Sequence, residues 1–307
     1  MQNMKVDGIR IAKDLASDIR TRLKTSGKKL RLAVIVAGLN GPIRSFVERK
    51  RRFGEDVGVT VDVLSVDTLR DTTQDVLEKI LHASREYDGI LLQLPVPKEY
   101  DLDALLRLFP LTHDVDVLGK IAYQQYKEGN LPFDPPVVAA FAEVLHRHSI
   151  QLAGQRVLVI GEGRLVGAPA AVWAQRVGGI VQVVDKETQN IDEWIRGADI
   201  IISGAGVPGL LHTGNIAPGA VILDAGTSES DGVVKGDADP ACAEVASLFT
   251  PTPGGIGPIT VAKVFENLLV LHELQVRSRT QRKQNNSDFA LMSRADSEAL
   301  VVRRHMQ

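Results

Sequence analysis

The sequence predicts an α/β protein of two domains, and two series of alternating patterns carry this prediction. In the first half, short apolar runs of strand length alternate with amphipathic helical patterns. A second series of the same kind begins after the polar stretch that ends at Pro135-Pro136. Such alternation is typical of parallel sheets with helices on both faces. A chain of 307 residues is long enough for two domains of this kind.

The first domain is predicted over residues 1–120. Its elements are, in order, a strand Leu32–Ala37, a helix Ile43–Val57, a strand Val59–Val66, a helix Asp71–Tyr87 and a strand Gly89–Leu94. A later helix, Pro258–Val276, is expected to return and complete this domain. Residues 277–307 change to a polar and basic composition. That change favours a loosely ordered tail, with a basic interaction segment as the alternative.

The second domain is predicted over residues 121–257 as a Rossmann-type, dinucleotide-binding unit. Its predicted elements are the helix Val137–His148, the strand Arg156–Ile160, the helix Ala168–Val177 and the strands Ile180–Val184, Asp199–Ser203 and Ala220–Asp224. Asp134 stands just before the first of these helices, where its carboxylate could cap the free N–H groups.

Composition and charge exclude several classes of protein. A hydrophobic content of 44% and a charged content of 24% are those of a soluble globular chain, and a net charge of -2 predicts no nucleic-acid partner. The single cysteine, Cys242, excludes a disulfide framework and a cysteine metal cluster. No apolar run approaches the ~20 residues of a membrane helix, and no targeting peptide is recognisable. We therefore expect a cytoplasmic enzyme without a metal or a membrane partner.

Residues 250–260 read TPTPGGIGPIT and place three glycines and three prolines around one turn. Gly254 and Gly255 can bring bare main chain against a ligand. Pro258 suits the start of a helix, where its missing N–H leaves no hydrogen bond unmade. The alternative interpretation is a tight strand-to-helix turn that binds nothing.

A second glycine-rich segment, from Gly161 to Gly167, lies between a predicted strand and a predicted helix. This order makes Gly161, Glu162, Gly163 and Gly167 candidates for binding a dinucleotide. The physical reason is that backbone N–H groups at a helix N-terminus can face a pyrophosphate closely when no Cβ atoms intervene.

The choice between NAD and NADP depends on the end of the next strand. Asp185 closes that strand, and a carboxylate there suits the free ribose hydroxyls of NAD and repels the 2′-phosphate of NADP. Lys186 beside it would counter part of the repulsion, and Asp185 could also be a solvated residue that starts a loop. Thr227 completes the predicted contacts with the cofactor, which is NADP or NAD.

Four residues of the first domain are candidates for the chemistry. Phe46 and Lys50 are four residues apart on one predicted helix, so they project from the same face. Without further evidence, Lys50 would belong to a solvated basic face. Gln93 lies in the apolar end of a buried strand, where open α/β sheets hold their sites, or it is a satisfied core amide. Asp116 follows in a segment that could equally be a surface turn.

These segments together resemble the bifunctional methylenetetrahydrofolate dehydrogenase/methenyltetrahydrofolate cyclohydrolase family, from Val6 to about Val276. PTPGGIGPITVA is similar to the family's PGGVGPMTVA, LQLPVP to its VQLPLP, and DVD to its DVDG. The resemblance implies that Lys50 is the central acid–base residue, that Gln93 hydrogen-bonds it, and that Asp116 holds the pterin. It also assigns folate contacts to Phe46, Gly254, Gly255 and Pro258.

The resemblance further implies oxidation of 5,10-methylenetetrahydrofolate with NAD(P), hydrolysis of the methenyl product to 10-formyltetrahydrofolate, and a homodimer. Some positions depart from the family pattern. Phe46 replaces a tyrosine, Val117 a glycine, and Glu162 and Gly163 an arginine and a serine. An enzyme with only one of the two activities, and a non-catalytic paralogue that binds folate or a partner, therefore stay open as alternatives.

Overall fold

The computed structural model of the protein describes residues 3–38, 41–230 and 233–277. The strands are β1 Met4–Lys5, β2 Arg31–Ala37, β3 Thr60–Val66, β4 Gly89–Gln93, β5 Arg156–Ile160, β6 Ile180–Val184, β7 Ile200–Ser203, β8 Val221–Asp224, β9 Ser228–Ser230, β10 Val233–Lys235 and β11 Leu248–Phe249. The longer helices are α1 Gly8–Ser26, α2 Gly41–Val57, α3 Thr73–Glu86, α4 Leu102–Arg107, α5 Lys120–Lys127, α6 Pro136–Arg147, α7 Gly167–Arg176 and α8 Ile191–Gly197. A last helix, α9, runs over residues 256–277. The predicted tail lies outside the described residues, apart from Arg277 at the end of α9.

Two parallel sheets form the framework. The smaller has the order β3-β2-β4, and the larger has the order β1-β11-β8-β7-β5-β6; every pairing within them is parallel. The predicted α/β class with a Rossmann-type second unit is thus confirmed. The first strand, β1, belongs to the larger sheet, so the chain starts there before it builds the smaller sheet. The domain boundaries at residues 120 and 257 stay a prediction.

The predicted helices and strands are found, β5 and β6 with the predicted limits and the others with shifts of one or two residues. The expected cap of α6 is wrong. The N-cap residue of α6 is Pro135, and no side chain caps this helix. Asp134 instead accepts a hydrogen bond from Arg176 of α7. Pro136 at the start of α6 has no N–H, so one of the groups that a cap would satisfy is missing. The polar stretch before α6 holds the helix α5, which the sequence pattern did not predict, and α1, α4 and α8 were not predicted either.

The last helix returns to the first unit, as predicted. The ring of Phe265 on α9 lies 5.0 Å, centroid to centroid, from the ring of Phe53 on α2. Leu268 of α9 is buried in the same cluster as Ile19 and Leu23 of α1. Burial of each large apolar side chain contributes about 1.5–3 kcal/mol. This contact therefore fixes α9, and with it the glycine-rich segment before it, against the first unit.

The two sheets turn their carboxyl ends toward a common cleft. Gln93 is the last residue of β4 in the smaller sheet, and Asp224 is the last residue of β8 in the larger one. Both residues line the same cavity. In the larger sheet the chain moves from β5 to β6 on one side and to β7 on the other. Open α/β sheets bind ligands in the crevice that such a reversal creates.

Candidate active site

A cavity of about 750 Å³ lies between the two units. Its volume is within the range of small-molecule sites, about 300–1,000 Å³. The residues predicted for the chemistry and for folate all line it, and so does one predicted cofactor residue: Phe46, Lys50, Gln93, Asp116, Gly254, Gly255, Pro258 and Thr227. The cavity therefore brings together residues that are more than 200 positions apart in the chain.

Lys50 and Gln93 are in direct contact. The Nζ atom of Lys50 on α2 donates a hydrogen bond of 3.0 Å to Oε1 of Gln93. The Nε2 atom of Gln93 donates to the main-chain oxygen of Leu94 at 2.8 Å. Both ends of the amide are thus used, and its oxygen is held toward the lysine. Phe46 lies one helical turn before Lys50, and the guanidinium of Arg49 stands 5.5 Å from the centre of its ring.

The surroundings of Lys50 change its acidity. Burial lowers the pKa of its ammonium below the ordinary 10.5, and the positive charge of Arg49 lowers it further. The carboxylate of Asp116 acts in the opposite direction. Burial also raises the pKa of Asp116, against the attraction of Lys50. A larger fraction of Lys50 is therefore in the neutral amine form than for a free lysine at the same pH. A lysine that exchanges protons near neutral pH requires this.

Asp116 is held in a tight turn that a neighbouring carboxylate organises. Asp114 is buried, with 1% of its surface exposed. Its carboxylate accepts hydrogen bonds from the N–H groups of Asp116 at 3.2 Å, Leu118 at 3.2 Å and Gly119 at 2.7 Å. Burial raises the pKa of Asp114 to about 7. Val117 within this turn has φ of 57°, the left-handed conformation that glycine adopts readily.

The glycine-rich segment forms one wall of the cavity through close main-chain contacts. The N–H of Gly8 donates to the oxygen of Gly254 at 2.9 Å. Gly254 has φ of 100°, a conformation that requires glycine. A Cβ atom on Gly255 would lie 2.5 Å from the oxygen of Pro251. Helix α9 starts at residue 256, two residues earlier than predicted. Pro258 is therefore in the first turn, where its missing N–H still leaves no bond unmade.

The glycine turn after β5 is built by close approach of its own main chain. Gly161 has φ of 95°, and its N–H donates to the oxygen of Val184 on β6 at 2.8 Å. A Cβ atom on Gly167 would lie 1.8 Å from the oxygen of Gly161, so only glycine fits there. A Cβ atom on Gly163, in contrast, would meet no atom within 4 Å. Helix α7, which follows, has no side-chain cap. The N–H of Ala168 donates instead to the main-chain oxygen of Gly163 at 3.1 Å, and Pro169 has no N–H.

The remaining cofactor candidates lie outside the walls of the cavity. Residues 164–166 of the glycine turn line the cavity, but six of the candidates do not: Gly161, Glu162, Gly163, Gly167, Asp185 and Lys186. The Oδ1 atom of Asp185 contacts the hydroxyl of Thr188 and accepts from the N–H of Glu187, each at 3.0 Å. These bonds, with that to Thr188 foremost, lower the pKa of Asp185. The carboxylate is thus charged at neutral pH.

Several cavity residues were not predicted from the sequence. They include Ile9, Tyr123, Thr252 and Asp224. Asp224 is buried, and burial raises its pKa to about 6. Its carboxylate accepts hydrogen bonds from the N–H groups of Gly226 at 2.8 Å and Ala238 at 3.0 Å. A carboxylate at the end of a predicted buried strand was the sequence signal that could have pointed to it.

Residues 3–38, 41–230 and 233–277 lack a metal cluster and a membrane-spanning helix. No cluster of three or more His, Cys, Asp or Glu side chains within them is arranged to hold a metal ion. None of their helices has the length and apolar character needed to cross a membrane.

The comparisons with known proteins agree with this geometry. Residues 6–116 match the family model described as the catalytic domain of tetrahydrofolate dehydrogenase/cyclohydrolase, and residues 135–276 match the NAD(P)-binding domain of the same family. The bifunctional protein FolD of Staphylococcus epidermidis is 31% identical over 278 residues, which cover 88% of this chain and 96% of that protein.

Two solved structures extend the agreement to the fold. The bifunctional FolD enzyme of Campylobacter jejuni superposes with a TM-score of 0.84 at 28% identity and covers 89% of this chain and 99% of its own. The FolD enzyme of Trypanosoma brucei, solved with NADP and an inhibitor, has a TM-score of 0.84 at 27% identity, with coverage of 90% and 100%. The chain belongs to the tetrahydrofolate dehydrogenase/cyclohydrolase family.

Proposed function

We propose that the protein catalyses two successive steps of one-carbon folate metabolism. In the first, 5,10-methylenetetrahydrofolate is oxidised to 5,10-methenyltetrahydrofolate with NAD(P)+. In the second, water adds to the methenyl carbon and the bridge opens to give 10-formyltetrahydrofolate. The observation that carries the proposal is the hydrogen bond of 3.0 Å between the half-buried Lys50 and the buried Gln93, in a cavity between a folate-type unit and a dinucleotide-type unit.

The residues after β5 fit a dinucleotide. The close contact of Gly167 with Gly161 keeps the main chain of the turn compact, and the space beside Gly163 has no atom within 4 Å of a built Cβ. We assign the pyrophosphate to the main chain of this glycine turn, at the N-terminal end of α7, where no side chain caps the helix. We assign seven residues to this cofactor: Gly161, Glu162, Gly163, Gly167, Asp185, Lys186 and Thr227. The cofactor supplies the acceptor of the hydride.

The residues of the cavity carry the other roles. Asp116 is assigned to the amino-pyrimidine edge of the pterin, because one carboxylate can accept two N–H bonds together. Phe46 offers an apolar ring against which the folate can lie, and Gly254, Gly255 and Pro258 shape the wall between folate and nicotinamide. Lys50 is assigned to proton transfer at the one-carbon bridge, and Gln93 fixes the position of its amine.

In the hydrolytic step, the lowered pKa of Lys50 gives this residue a function that an exposed lysine lacks. Its neutral amine can accept the proton that water loses as the C–O bond forms. The resulting ammonium can return that proton to the ring nitrogen as the C–N bond of the bridge breaks. The remaining proton of the water leaves to solvent as the formyl C=O forms. In total one water is consumed, one proton is released with the positive charge of the methenyl substrate, and the amine is regenerated.

For the cofactor, we propose a preference for NAD over NADP. The carboxylate of Asp185 closes β6 and its pKa is lowered, so it carries a negative charge where the adenosine ribose is expected. Glu162 adds a second carboxylate in the turn and Gly163 adds no side-chain donor. A 2′-phosphate would therefore meet repulsion rather than a partner.

We also propose a cytoplasmic homodimer. Strand β6 is at the edge of the larger sheet, and Ile180 at its start is 63% exposed. Val177 beside it is 40% exposed. An edge strand with exposed apolar side chains is a suitable surface for pairing with a second copy. Sedimentation analysis of the purified chain would detect the dimer, and cell fractionation would test the location.

The test of the proposed function is a spectrophotometric assay of the purified protein. Reduced nicotinamide should form from 5,10-methylenetetrahydrofolate with NAD, and more slowly with NADP. The absorbance of 5,10-methenyltetrahydrofolate should decay in a separate assay without any nicotinamide. Activity in only one assay would favour a single-activity enzyme, and activity in neither would favour a non-catalytic protein that binds folate.

A further inference from the structure

The turn that carries Asp116 is held from two sides by buried polar groups. On one side, the carboxylate of Asp114 accepts from the N–H groups of residues 116, 118 and 119. On the other, Asn267 of α9, 3% exposed, donates from Nδ2 to the oxygen of Val115 and to that of Asp134, each at 3.0 Å. Hydrogen bonds thus hold the main chain on both sides of Asp116.

The same turn contains a conformation that its residue type disfavours. Val117 has φ of 57°, and a β-branched side chain is uncommon in this region because its Cβ crowds the backbone. The side chain of Val117 is buried, at 3% exposed, within an apolar cluster. Such a conformation persists only where its surroundings determine it. The three hydrogen bonds to Asp114 surround this residue and supply that constraint.

We propose that Asp114 is a positioning residue for Asp116: its buried carboxylate holds the turn 116–119 in the conformation that presents Asp116 to the cavity. This inference rests on the proposed function, in which Asp116 binds the pterin. It assigns to Asp114 no contact with folate. Asp114 acts only through Asp116, and this restriction makes the proposal testable.

The substitution Asp114→Asn keeps the shape of the side chain but replaces one acceptor oxygen with an NH₂ group. That group cannot accept a hydrogen bond, so it would face main-chain N–H donors. We expect the binding-competent conformation of the turn to become a minority, and the apparent affinity falls in proportion to its population. A main-chain N–H that loses its acceptor stays buried and unpaired, which predicts an affinity about 10–100-fold weaker.

The experiment is a double-mutant cycle. The dissociation constant of 5-formyltetrahydrofolate, a stable reduced folate, is measured for the wild type, Asp114→Asn, Asp116→Asn and the double variant. If Asp114 acts through Asp116, the double variant binds about as weakly as Asp116→Asn alone. Additive losses, or a folded Asp114→Asn protein with wild-type affinity, would overturn the proposal.

A matched control separates positioning from general damage. Asp237 is also a buried carboxylate that accepts from main-chain N–H groups, those of Ala205 at 2.8 Å and Val207 at 2.7 Å, but it belongs to the second unit. Asp237→Asn should lower stability while the folate affinity stays within twofold, roughly, as expected for sites without shared partners. If Asp237→Asn weakens folate binding as much as Asp114→Asn does, positioning is refuted.

Two further measurements keep the test decisive. If Asp114→Asn fails to fold, Gly119→Ala replaces it. Its Cβ would lie 3.0 Å from Cβ of Phe109 and 3.1 Å from Oδ2 of Asp114, so it would crowd the end of the turn that the carboxylate holds. Its loss of affinity should also vanish in the Asp116→Asn background. Amide hydrogen exchange of residues 116–119 should accelerate about tenfold or more in either variant. Unchanged exchange would refute the positioning role of Asp114, whether or not the wild type binds folate. Absence of folate binding by the wild type would refute the proposed function separately.

Discussion

Replacement of Lys50 by methionine tests the catalytic assignment most sharply. Methionine retains an unbranched apolar stem of similar length but has no group that exchanges a proton. In the structure, the amine of Lys50 has one side-chain hydrogen-bond partner, Oε1 of Gln93 at 3.0 Å, and burial lowers its pKa. Loss of a general acid–base residue typically reduces a rate by about 10²–10⁴-fold. We expect the hydrolysis of 5,10-methenyltetrahydrofolate to fall by this factor.

Two opposing effects on folding accompany this change. Removal of an ammonium whose pKa is lowered by burial relieves a desolvation cost, because burial penalises the charged form of a lysine. Against this, Oε1 of Gln93 loses its donor, which costs about 1–3 kcal/mol if no water replaces it. We therefore expect the thermal midpoint to stay within roughly 5 °C of the wild type.

The assay is the decay of methenyl absorbance at several pH values, with Lys79→Met as the matched control. Lys79 is on α3 of the same unit, donates to the oxygen of Ser65 at 2.6 Å and does not line the cavity. In the wild type, the rate should rise with pH through the lowered pKa of Lys50, because the neutral amine is the base. A folded Lys50→Met protein with wild-type hydrolysis would refute the assignment.

Four other substitutions test three separate features of the protein. Phe46→Tyr returns a hydroxyl to a ring in the cavity wall, and folate turnover should rise by about 2–10-fold, the value of one added hydrogen bond; unchanged turnover with normal folate binding would show that the hydroxyl is dispensable. Asp185→Ser should improve the affinity for NADP relative to NAD by about tenfold, since one like-charge contact is removed at a partly solvated site; tighter wild-type binding of NADP than of NAD would refute the NAD preference. Gly167→Ala should destabilise the protein by about 3 kcal/mol, because its Cβ would lie 1.8 Å from the oxygen of Gly161. Gly163→Ala, which meets no atom within 4 Å, should leave the thermal midpoint nearly unchanged; equal midpoints for the two variants would contradict the packing argument.

The parts of the fold that the sequence predicted are those that periodicity and local chemistry determine. Strands such as β5 and β6 are apolar runs bounded by turns, and their limits were predicted without error. The grouping of Lys50 with Gln93 followed from the resemblance, because no local pattern links an α2 residue to the end of β4. Their hydrogen bond depends on how the helix packs over the sheet.

The parts that could not be predicted depend on contacts between distant segments. The left-handed conformation of Val117 is imposed by Asp114 and by burial, and valine by itself disfavours it. The requirement for glycine at position 167 comes from the approach of the Gly161 oxygen, which only the folded turn reveals. Asp134 satisfied the sequence rule for a cap, yet its carboxylate pairs with Arg176, because tertiary contacts override local preference.

The most direct test of the central claim is a crystal structure of the protein with a reduced folate and NAD bound together. The account predicts that the folate occupies the cavity between the two units, with its pterin edge on the carboxylate of Asp116. The one-carbon bridge should lie within hydrogen-bond reach of Nζ of Lys50, directly or through one water, on the side that faces the nicotinamide. A folate bound outside this cavity, or a bridge remote from Lys50, would contradict the account.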